Sequence, residues 1–220
     1  MLAHDRKLGA NEVGRATEDV AGIGILRDQA QRLSRPCEIH PMSQIGPTLE
    51  APRLILRPPE TADLEPWAAF AADPVAARYL GGPQSRSLAW RSMTVMTGAW
   101  IINGFSMFSV VEKTSNRWIG RVGPWAPEGW PGLEVGWGLA REAWGNGYAV
   151  EAATASMDWV VDVLGWPEII HAISSANAPS QKVAQRLGAR RLREAVLPDP
   201  LNEPVEIWGQ TRADWLARRR

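Results

Sequence analysis

The clearest pattern of apolar and polar positions in this chain runs from Leu133 to Gly165. From Leu133 to Leu139 every second residue is apolar, which is the period of a strand with one heavily apolar face. From Val150 to Leu164 apolar residues return every three or four positions, which predicts an amphipathic helix. The period changes across the segment 144–149, Trp-Gly-Asn-Gly-Tyr-Ala, so a glycine-containing turn joins the strand to the helix.

A strand that enters a helix through Gly-x-Gly is suited to binding phosphate. Glycines allow a ligand to approach the backbone closely, and the free N–H groups of the first helical turn lie at the positive end of the helix dipole. On its own this signal is weak, because most such turns are simply tight turns. Whether this turn binds phosphate therefore has to be judged from the motifs in the rest of the chain.

The remaining pattern predicts further strands and helices on both sides of this unit. The predicted strands are 53–57, 105–112, 117–122, 168–174, 190–197 and 205–211, and the predicted helices are 61–72, 87–101 with Ser87 as its cap, 179–187 closed by Gly188, and a last helix capped by Thr211. The strand after the long helix can lie parallel to 133–139. The fold class is therefore α+β, with one parallel pair in a mostly antiparallel sheet.

Composition narrows the class of protein. The 220 residues, 45% hydrophobic and 22% charged, suit one globular domain, and the formal net charge of zero gives no case for nucleic acid or an anionic membrane as partner. No apolar run approaches the ~20 residues that a membrane span needs. The lone Cys37 excludes an internal disulfide and a cysteine metal cluster, and the three histidines are too scattered to form a metal site. A cytoplasmic protein is expected.

Residues 1–47 differ in pattern from the rest of the chain. Their single weak helical stripe, 18–33, is interrupted by Gly22 and Gly24, so this segment is interpreted as a poorly packed extension and residues 48–220 as the folded domain. A domain that began at Met42 would lose nothing assignable, so a misplaced translation start is one interpretation. A partner-binding arm is the other.

Three motifs together resemble one family. They are Glu-Val-Gly-Trp-Gly-Leu from Glu134, Ala-Trp-Gly-Asn-Gly-Tyr-Ala from Ala143, and Asn177-Ala-Pro-Ser180 followed by Leu187-Gly188. In this order and spacing they resemble the GNAT acyl-CoA N-acyltransferases, and within them the RimJ/RimL-like branch. The resemblance covers about Leu49 to Trp215. It implies a GNAT-like sheet in which the two parallel strands splay apart.

The resemblance also implies a cofactor site. In the family, acetyl-CoA is held by main-chain N–H groups of the turn, by the strand before it and by the asparagine of the last motif. The matching residues here are Trp137, Leu139, Trp144, Gly145, Asn146, Gly147, Tyr148, Ala149, Asn177 and Ser180. Two positions depart from the family pattern. Glu142 stands where an Arg or Gln is common, and Ala184 stands where many members have a tyrosine that acts as general acid.

Two residues are candidates for the chemistry. Glu134 matches the family's base, which usually acts through water, and Ser180 matches the serine that the RimL-like branch places near the sulfur. A hydroxyl suffices there, because a thiol of pKa about 8.5 leaves without a strong acid. Each has a plainer alternative: Glu134 as a strand glutamate that faces solvent or pairs with an Arg, and Ser180 as a polar contact inside its helix. His171, in an apolar strand, is interpreted as a structural or pore-lining histidine.

The function expected from this resemblance is transfer of an acetyl group from acetyl-CoA to a primary amine, on a protein N-terminus or a small molecule, by direct attack. The acceptor is expected between the first two helices, the loop 124–132 and the loop 198–204. A CoA-binding sensor or scaffold without transfer activity is the alternative. A dinucleotide-dependent oxidoreductase is disfavoured, because the third glycine of its motif would fall at Val150. No metal is expected, and a homodimer is left open.

Overall fold

The computed structural model describes residues 45–219, so the expected extension and its Met42 lie almost wholly outside the described residues. The described chain forms eight strands and five helices. The strands are β1 (Leu49–Glu50), β2 (Leu54–Arg57), β3 (Phe108–Glu112), β4 (Arg117–Trp125), β5 (Glu134–Leu139), β6 (Glu168–Ile173), β7 (Arg190–Val196) and β8 (Pro204–Thr211). The helices are α1 (Leu64–Ala72), α2 (Arg86–Asn103), α3 (Tyr148–Asp162), α4 (Ala178–Arg186) and α5 (Arg212–Arg218), with short 3₁₀ turns at Thr61–Asp63 and Arg141–Ala143.

The strands form one sheet in the order β1-β2-β3-β4-β5-β6-β8-β7, and every neighbouring pair is antiparallel except β5 and β6. The α+β fold class predicted from the sequence is confirmed. β5 and β6 are paired where Glu134 lies opposite Ile170. One residue further on, a side chain makes the contact between the strands, because Nδ1 of His171 donates to the carbonyl oxygen of Val135 at 2.7 Å. The parallel pair therefore splays towards the carboxyl end of β5.

Helix α3 joins β5 to β6 and packs on the sheet. Its buried residues include Ala153, Met157 and Val160, as the three-to-four spacing predicted. They form a core with Phe108 and Val135 from the sheet. Because α3 begins directly after the Gly-x-Gly turn, this packing fixes the first turn of the helix near the splayed end of β5.

Helices α1 and α2 build a second core. Trp67 and Phe70 of α1 pack with Met93 of α2 and with Trp118 of β4. The rings of Trp67 and Trp118 lie 5.6 Å apart at their centroids. This core holds in place the segment between α1 and α2, which supplies residues to the candidate active site.

Several predicted boundaries are corrected. Helix α2 begins at Arg86 with Ser85 as its cap, not Ser87, because the Ser85 hydroxyl accepts the N–H of Leu88 and the earlier start lets Arg86 pair with Glu65 of α1. Strand β3 begins at Phe108 rather than at residue 105, and the two-residue strand β1 was not predicted.

Strand β4 is longer than predicted and runs through Pro124 to Trp125 instead of ending at Val122. Its pairing with β3 ends at Phe108 opposite Val122, whereas its pairing with β5 continues to Trp125 opposite Glu134. A proline is tolerated there because β4 has only one partner strand at that point, so the missing N–H breaks no ladder bond on the other side.

In the described part of the chain, no helix combines the length and the apolar character that crossing a lipid bilayer requires.

Candidate active site

A cavity of about 550 Å³ opens beside the carboxyl end of β5, between the start of α3 and helix α4. All but one of the residues that the family resemblance assigned to the cofactor line it: Trp137, Leu139, Trp144, Gly145, Gly147, Tyr148, Ala149, Asn177 and Ser180. Asn146 is the exception. Its side-chain amide donates to the carbonyl oxygens of Ala143 and Trp144, so it stabilises the conformation of the turn.

The backbone of the turn leaves room for a ligand. Gly145 and Gly147 both have φ of +78°, a left-handed conformation that favours glycine, and neither has a backbone atom near the position of a Cβ. Gly147 is the N-cap of α3 and the helix has no side-chain cap. The N–H groups of the first turn of α3 are therefore available to an anion at the positive end of the helix dipole.

The charges around this cavity also suit an anion. Arg78, Lys182 and Arg186 line it, and no carboxylate of the described residues does. Glu142, the departure from the family pattern, is exposed and is not among the lining residues. The residues present therefore fit the diphosphate of a CoA ester.

A second cavity, of about 460 Å³, adjoins the first, and both are lined by Tyr79, Trp137, Asn177 and Ser180. Its other walls come from α2, the segment after β4, β6 and the loop 197–203. Of the segments from which the sequence predicted the acceptor site, α2, the loop 124–132 and the loop 198–204 line this cavity, whereas helix α1 does not. Residues from far apart in the chain thus meet around one space at the splayed strands.

Glu134 lies in the wall of the second cavity with only 7% of its surface exposed. Its Oε2 accepts the indole N–H of Trp130 at 2.6 Å, and its Oε1 accepts the backbone N–H of Ala172 at 3.2 Å. Burial raises the pKa of Glu134 to about 7, although both hydrogen bonds oppose that rise by favouring the carboxylate. Glu134 neither faces solvent nor forms an ion pair with any described residue, so neither plainer alternative describes its position.

Ser180 and Trp137 connect the two sides of the cleft. The indole Nε1 of Trp137 on β5 donates to Oγ of Ser180 on α4 at 3.2 Å. Because an indole N–H can only donate, the serine oxygen must be the acceptor, and its own proton remains free to be donated elsewhere. The cap of α4 is made by Asn177, whose Oδ1 accepts the N–H of Ser180. The Ser180 hydroxyl therefore takes no part in capping its helix.

His171 is buried and lies against Trp137, with ring centroids 4.9 Å apart. Burial lowers the pKa of His171 to about 4, against the opposing effect of its bond to Val135. The imidazole is neutral at pH 7 and a weak base, and its Nε2 has no hydrogen-bond partner among the described residues. The interpretation as a structural, cavity-lining histidine fits this environment.

Two residues of the site, Tyr79 and Arg121, were not predicted from the sequence. Tyr79 lines both cavities and donates its hydroxyl to the carbonyl oxygen of Ala176 at 3.0 Å, and Arg121 lines the second cavity. Neither belongs to a recognisable motif. Ala184 is fully buried beside Trp208, so this position packs helix α4 on the sheet. No group of described residues could hold a metal ion.

Comparison with known proteins gives a consistent result. A family model described as an acetyltransferase (GNAT) domain matches residues 53–190. An acetyltransferase of Agrobacterium tumefaciens, known from its crystal structure, is 30% identical, with a TM-score of 0.67 over 74% of this chain and 94% of that one. The uncharacterized N-acetyltransferase p20 of Bacillus licheniformis is 28% identical over 69% of this chain and 86% of its own length.

Two further relatives mark the limits of the comparison. The match to the uncharacterized protein YkkB of Bacillus subtilis, 32% identical, covers 39% of this chain and about half of that protein, 51%. The spermidine N-acetyltransferase of Vibrio cholerae, in complex with CoA and spermine, has a TM-score of 0.61 over 74% of this chain and 98% of that one, at 17% identity. At that identity the likeness concerns the fold alone.

Proposed function

Because this chain belongs to the GNAT acetyltransferase family, we propose that it transfers an acetyl group from acetyl-CoA to a primary amine that binds in the second cavity and attacks directly. The observation that carries the proposal is the position of Glu134, a buried carboxyl group with a pKa of about 7 where the acceptor cavity meets the splayed strands. The acceptor is a protein N-terminus or a small amine, and the motifs favour the RimJ/RimL-like branch.

The first cavity is assigned to acetyl-CoA, which supplies an activated acetyl group as a thioester. The N–H groups that follow Gly147 and the nearby Arg78, Lys182 and Arg186 hold the diphosphate. The free edge of β5, where β6 has moved away, offers backbone groups to the pantetheine arm. Asn177 uses its Oδ1 as a helix cap, so its NH₂ group is the part of the side chain that can donate to the arm.

Glu134 is assigned the role of general base. An ammonium group must lose a proton before its nitrogen can attack, and a base is most effective when its pKa is near the working pH. The N–H groups of Trp130 and Ala172 fix the carboxylate in place. Proton removal proceeds directly or through one water, as in the family pattern.

Ser180 is assigned to the leaving group. Trp137 occupies an acceptor site on Ser180 Oγ and leaves the serine proton free, so the hydroxyl can donate to the sulfur as negative charge develops there. A hydroxyl is sufficient, because a thiolate of pKa about 8.5 is a good leaving group at neutral pH.

The rival function is CoA binding without transfer, as a sensor or scaffold. Release of free thiol from acetyl-CoA separates the two. The amines to offer are peptides that begin with Ser or Ala, spermidine and an aminoglycoside, each with a no-amine control and identification of the acetylated product by mass spectrometry. We expect amine-dependent thiol release. Tight binding of acetyl-CoA by calorimetry, with thiol release no faster with any amine than without one, would support the scaffold instead.

A further inference from the structure

Arg121 on β4 lines the second cavity and is half-buried. Its Nη1 lies 3.6 Å from the sulfur of Met107, a weak acceptor, and its guanidinium carbon is 6.0 Å from the centroid of the Trp67 ring. Among residues 45–219 it has no ion-pair partner. A guanidinium carries five N–H donors, so most of its hydrogen-bonding capacity is unused here.

An unpaired cation in such a place is costly. Burial lowers the pKa of Arg121 to about 10, and the field of Glu134 opposes this effect only in part. Buried charges in proteins are normally paired, because removal of a charge from water is expensive. A cation held in a cavity wall without a protein partner is suited to binding an anionic group of a ligand.

The sheet places Arg121 and Glu134 on one face. Along the pairing of β4 with β5, Arg121 lies opposite Gly138, Gly123 opposite Gly136, and Trp125 opposite Glu134. A Cβ built on Gly136 would lie 3.2 Å from Oε1 of Glu134 and 2.8 Å from Cε of Met107. Gly136 therefore leaves room for the end of the Met107 side chain, which lies near Oε1 of Glu134 and contacts Nη1 of Arg121 through its sulfur.

We propose that Arg121 binds a carboxylate of the acceptor, so that the acceptor is an amine that also carries a carboxylate. The amino group lies at Glu134, the carboxylate at Arg121, and the apolar body against Trp125 and Met96 of the same cavity. This assignment rests on the proposed function and narrows it to one class of acceptor, amino acids and short peptides with a free carboxylate.

The remaining charges of the cavity favour a zwitterion over a net anion. Glu128, Asp199 and Glu203 also line it, and the first two are exposed. These carboxylates attract an ammonium group and repel a molecule of net negative charge. These carboxylates would also suit a polyamine, but a polyamine has no anionic group that Arg121 could bind.

A binding experiment tests Arg121 without turnover. The probes are 3-phenylpropionate and the neutral 3-phenylpropan-1-ol, titrated calorimetrically into the full chain saturated with CoA. The titration is run near pH 6, where Glu134 is mostly protonated and repels the carboxylate least. We expect the wild type to bind the carboxylate about tenfold tighter or more. The preference should vanish in Arg121→Gln and persist in Arg91→Gln, which changes an exposed arginine of α2.

Equal affinity of the wild type for both probes, no binding of either, or a preference that survives Arg121→Gln would overturn the proposal. Acetyl-CoA affinity and the circular dichroism spectrum of each variant show whether it is folded.

Turnover of phenylalanine against 2-phenylethylamine, which lacks only the carboxylate, separates this proposal from the proposed function. We expect phenylalanine to be preferred by the wild type and the preference to be lost in Arg121→Gln. Acetylation of 2-phenylethylamine or spermidine in preference to phenylalanine would leave the proposed function standing and refute the role of Arg121. An equal loss for both amines in Arg121→Gln, with the preference unchanged, would also refute it and would mean that Arg121 acts only on the pKa of Glu134.

Discussion

The two cavities that meet at the splayed strands are built in different ways. The first depends on backbone: two glycines at φ of +78° and a helix without a side-chain cap. The second depends on side chains contributed by several separate segments, among them Glu134, Arg121 and Trp130. Backbone N–H groups do not titrate and change little with sequence, so they suit a donor common to a whole family. Side chains can vary, so they suit an acceptor that differs between members.

The two cavities also differ in charge. Cations and no described carboxylate line the first, whereas Glu134 and three further carboxylates line the second together with Arg121. This separation suits the proposed arrangement, with a polyanionic donor on one side and an ammonium group on the other. It would also keep Glu134 away from a bound diphosphate, whose charge would raise the pKa of Glu134 further.

The largest effect on ligand affinity is expected at the turn, where backbone N–H groups bind the diphosphate. Gly147→Asp should weaken acetyl-CoA binding by about 100-fold or more, because the side chain blocks close approach and its charge repels the diphosphate. Calorimetry with acetyl-CoA measures this. Gly104→Asp is the matched control: Gly104 has φ of +74° and no neighbour within 4 Å of a Cβ, and it ends α2 without lining the first cavity. Comparable affinity loss in both variants would mean that strain, not the anion site, is responsible.

A smaller effect is expected where the two cavities meet. Ser180→Ala removes the hydroxyl and should lower kcat about tenfold, the value of roughly one hydrogen bond, while the affinity for acetyl-CoA changes little. Steady-state kinetics with one accepted amine measures it. Ser175→Ala, at an exposed position before α4, should behave as wild type. An unchanged kcat in Ser180→Ala would leave Ser180 with a structural role only.

The smallest effect is expected from a change in the pKa of Glu134. Trp130→Phe removes the N–H that favours the carboxylate, so the pKa of Glu134 should rise above about 7. The acidic limb of the rate profile should then move up by about one pH unit, since a lost hydrogen bond is worth roughly 1 kcal/mol. At pH 7 the rate should fall several-fold and recover at higher pH. Trp90→Phe, at an exposed tryptophan of α2, is the control. An acidic limb at the same pH as in the wild type, or at a lower pH, would contradict the claim that the hydrogen bond from Trp130 lowers the pKa of Glu134.

Sequence patterns predicted the fold well, because local periods and caps determine most of it. The amphipathic spacing located α3, and Thr211 caps α5 as predicted, accepting the N–H of Asp214. The predictions from sequence patterns were wrong where tertiary contacts set the end of a strand or the start of a helix. β4 continues through Pro124 because it remains paired with β5, and the prediction capped α2 with Ser87, whereas Ser85, two residues earlier, makes the cap.

The candidate site shows the same difference between residues in local motifs and residues that tertiary pairing brings together. The lining of the first cavity could be predicted in large part, because the residues assigned to the cofactor lie in three short motifs of the family resemblance. The surroundings of Glu134 could not be predicted, because Trp130 and Ala172, which hydrogen-bond to it, and Arg121, which acts on it electrostatically, lie on other strands and on a loop. The raised pKa of Glu134 depends on burial, which no local pattern measures.

The most direct test of the central claim is the pH–rate profile of the wild type and of Glu134→Gln with one accepted amine, with Glu168→Gln, an exposed glutamate of β6, as control. The carboxylate is the active form, so the wild-type rate should fall as pH drops through about 7, the pKa of Glu134. We expect Glu134→Gln to be slower by about 10² to 10⁴ at neutral pH, to lack that limb, and to approach the wild type at high pH, where the amine is already deprotonated. A variant within about threefold of wild type across the range, or one that keeps the limb, would remove Glu134 from the mechanism.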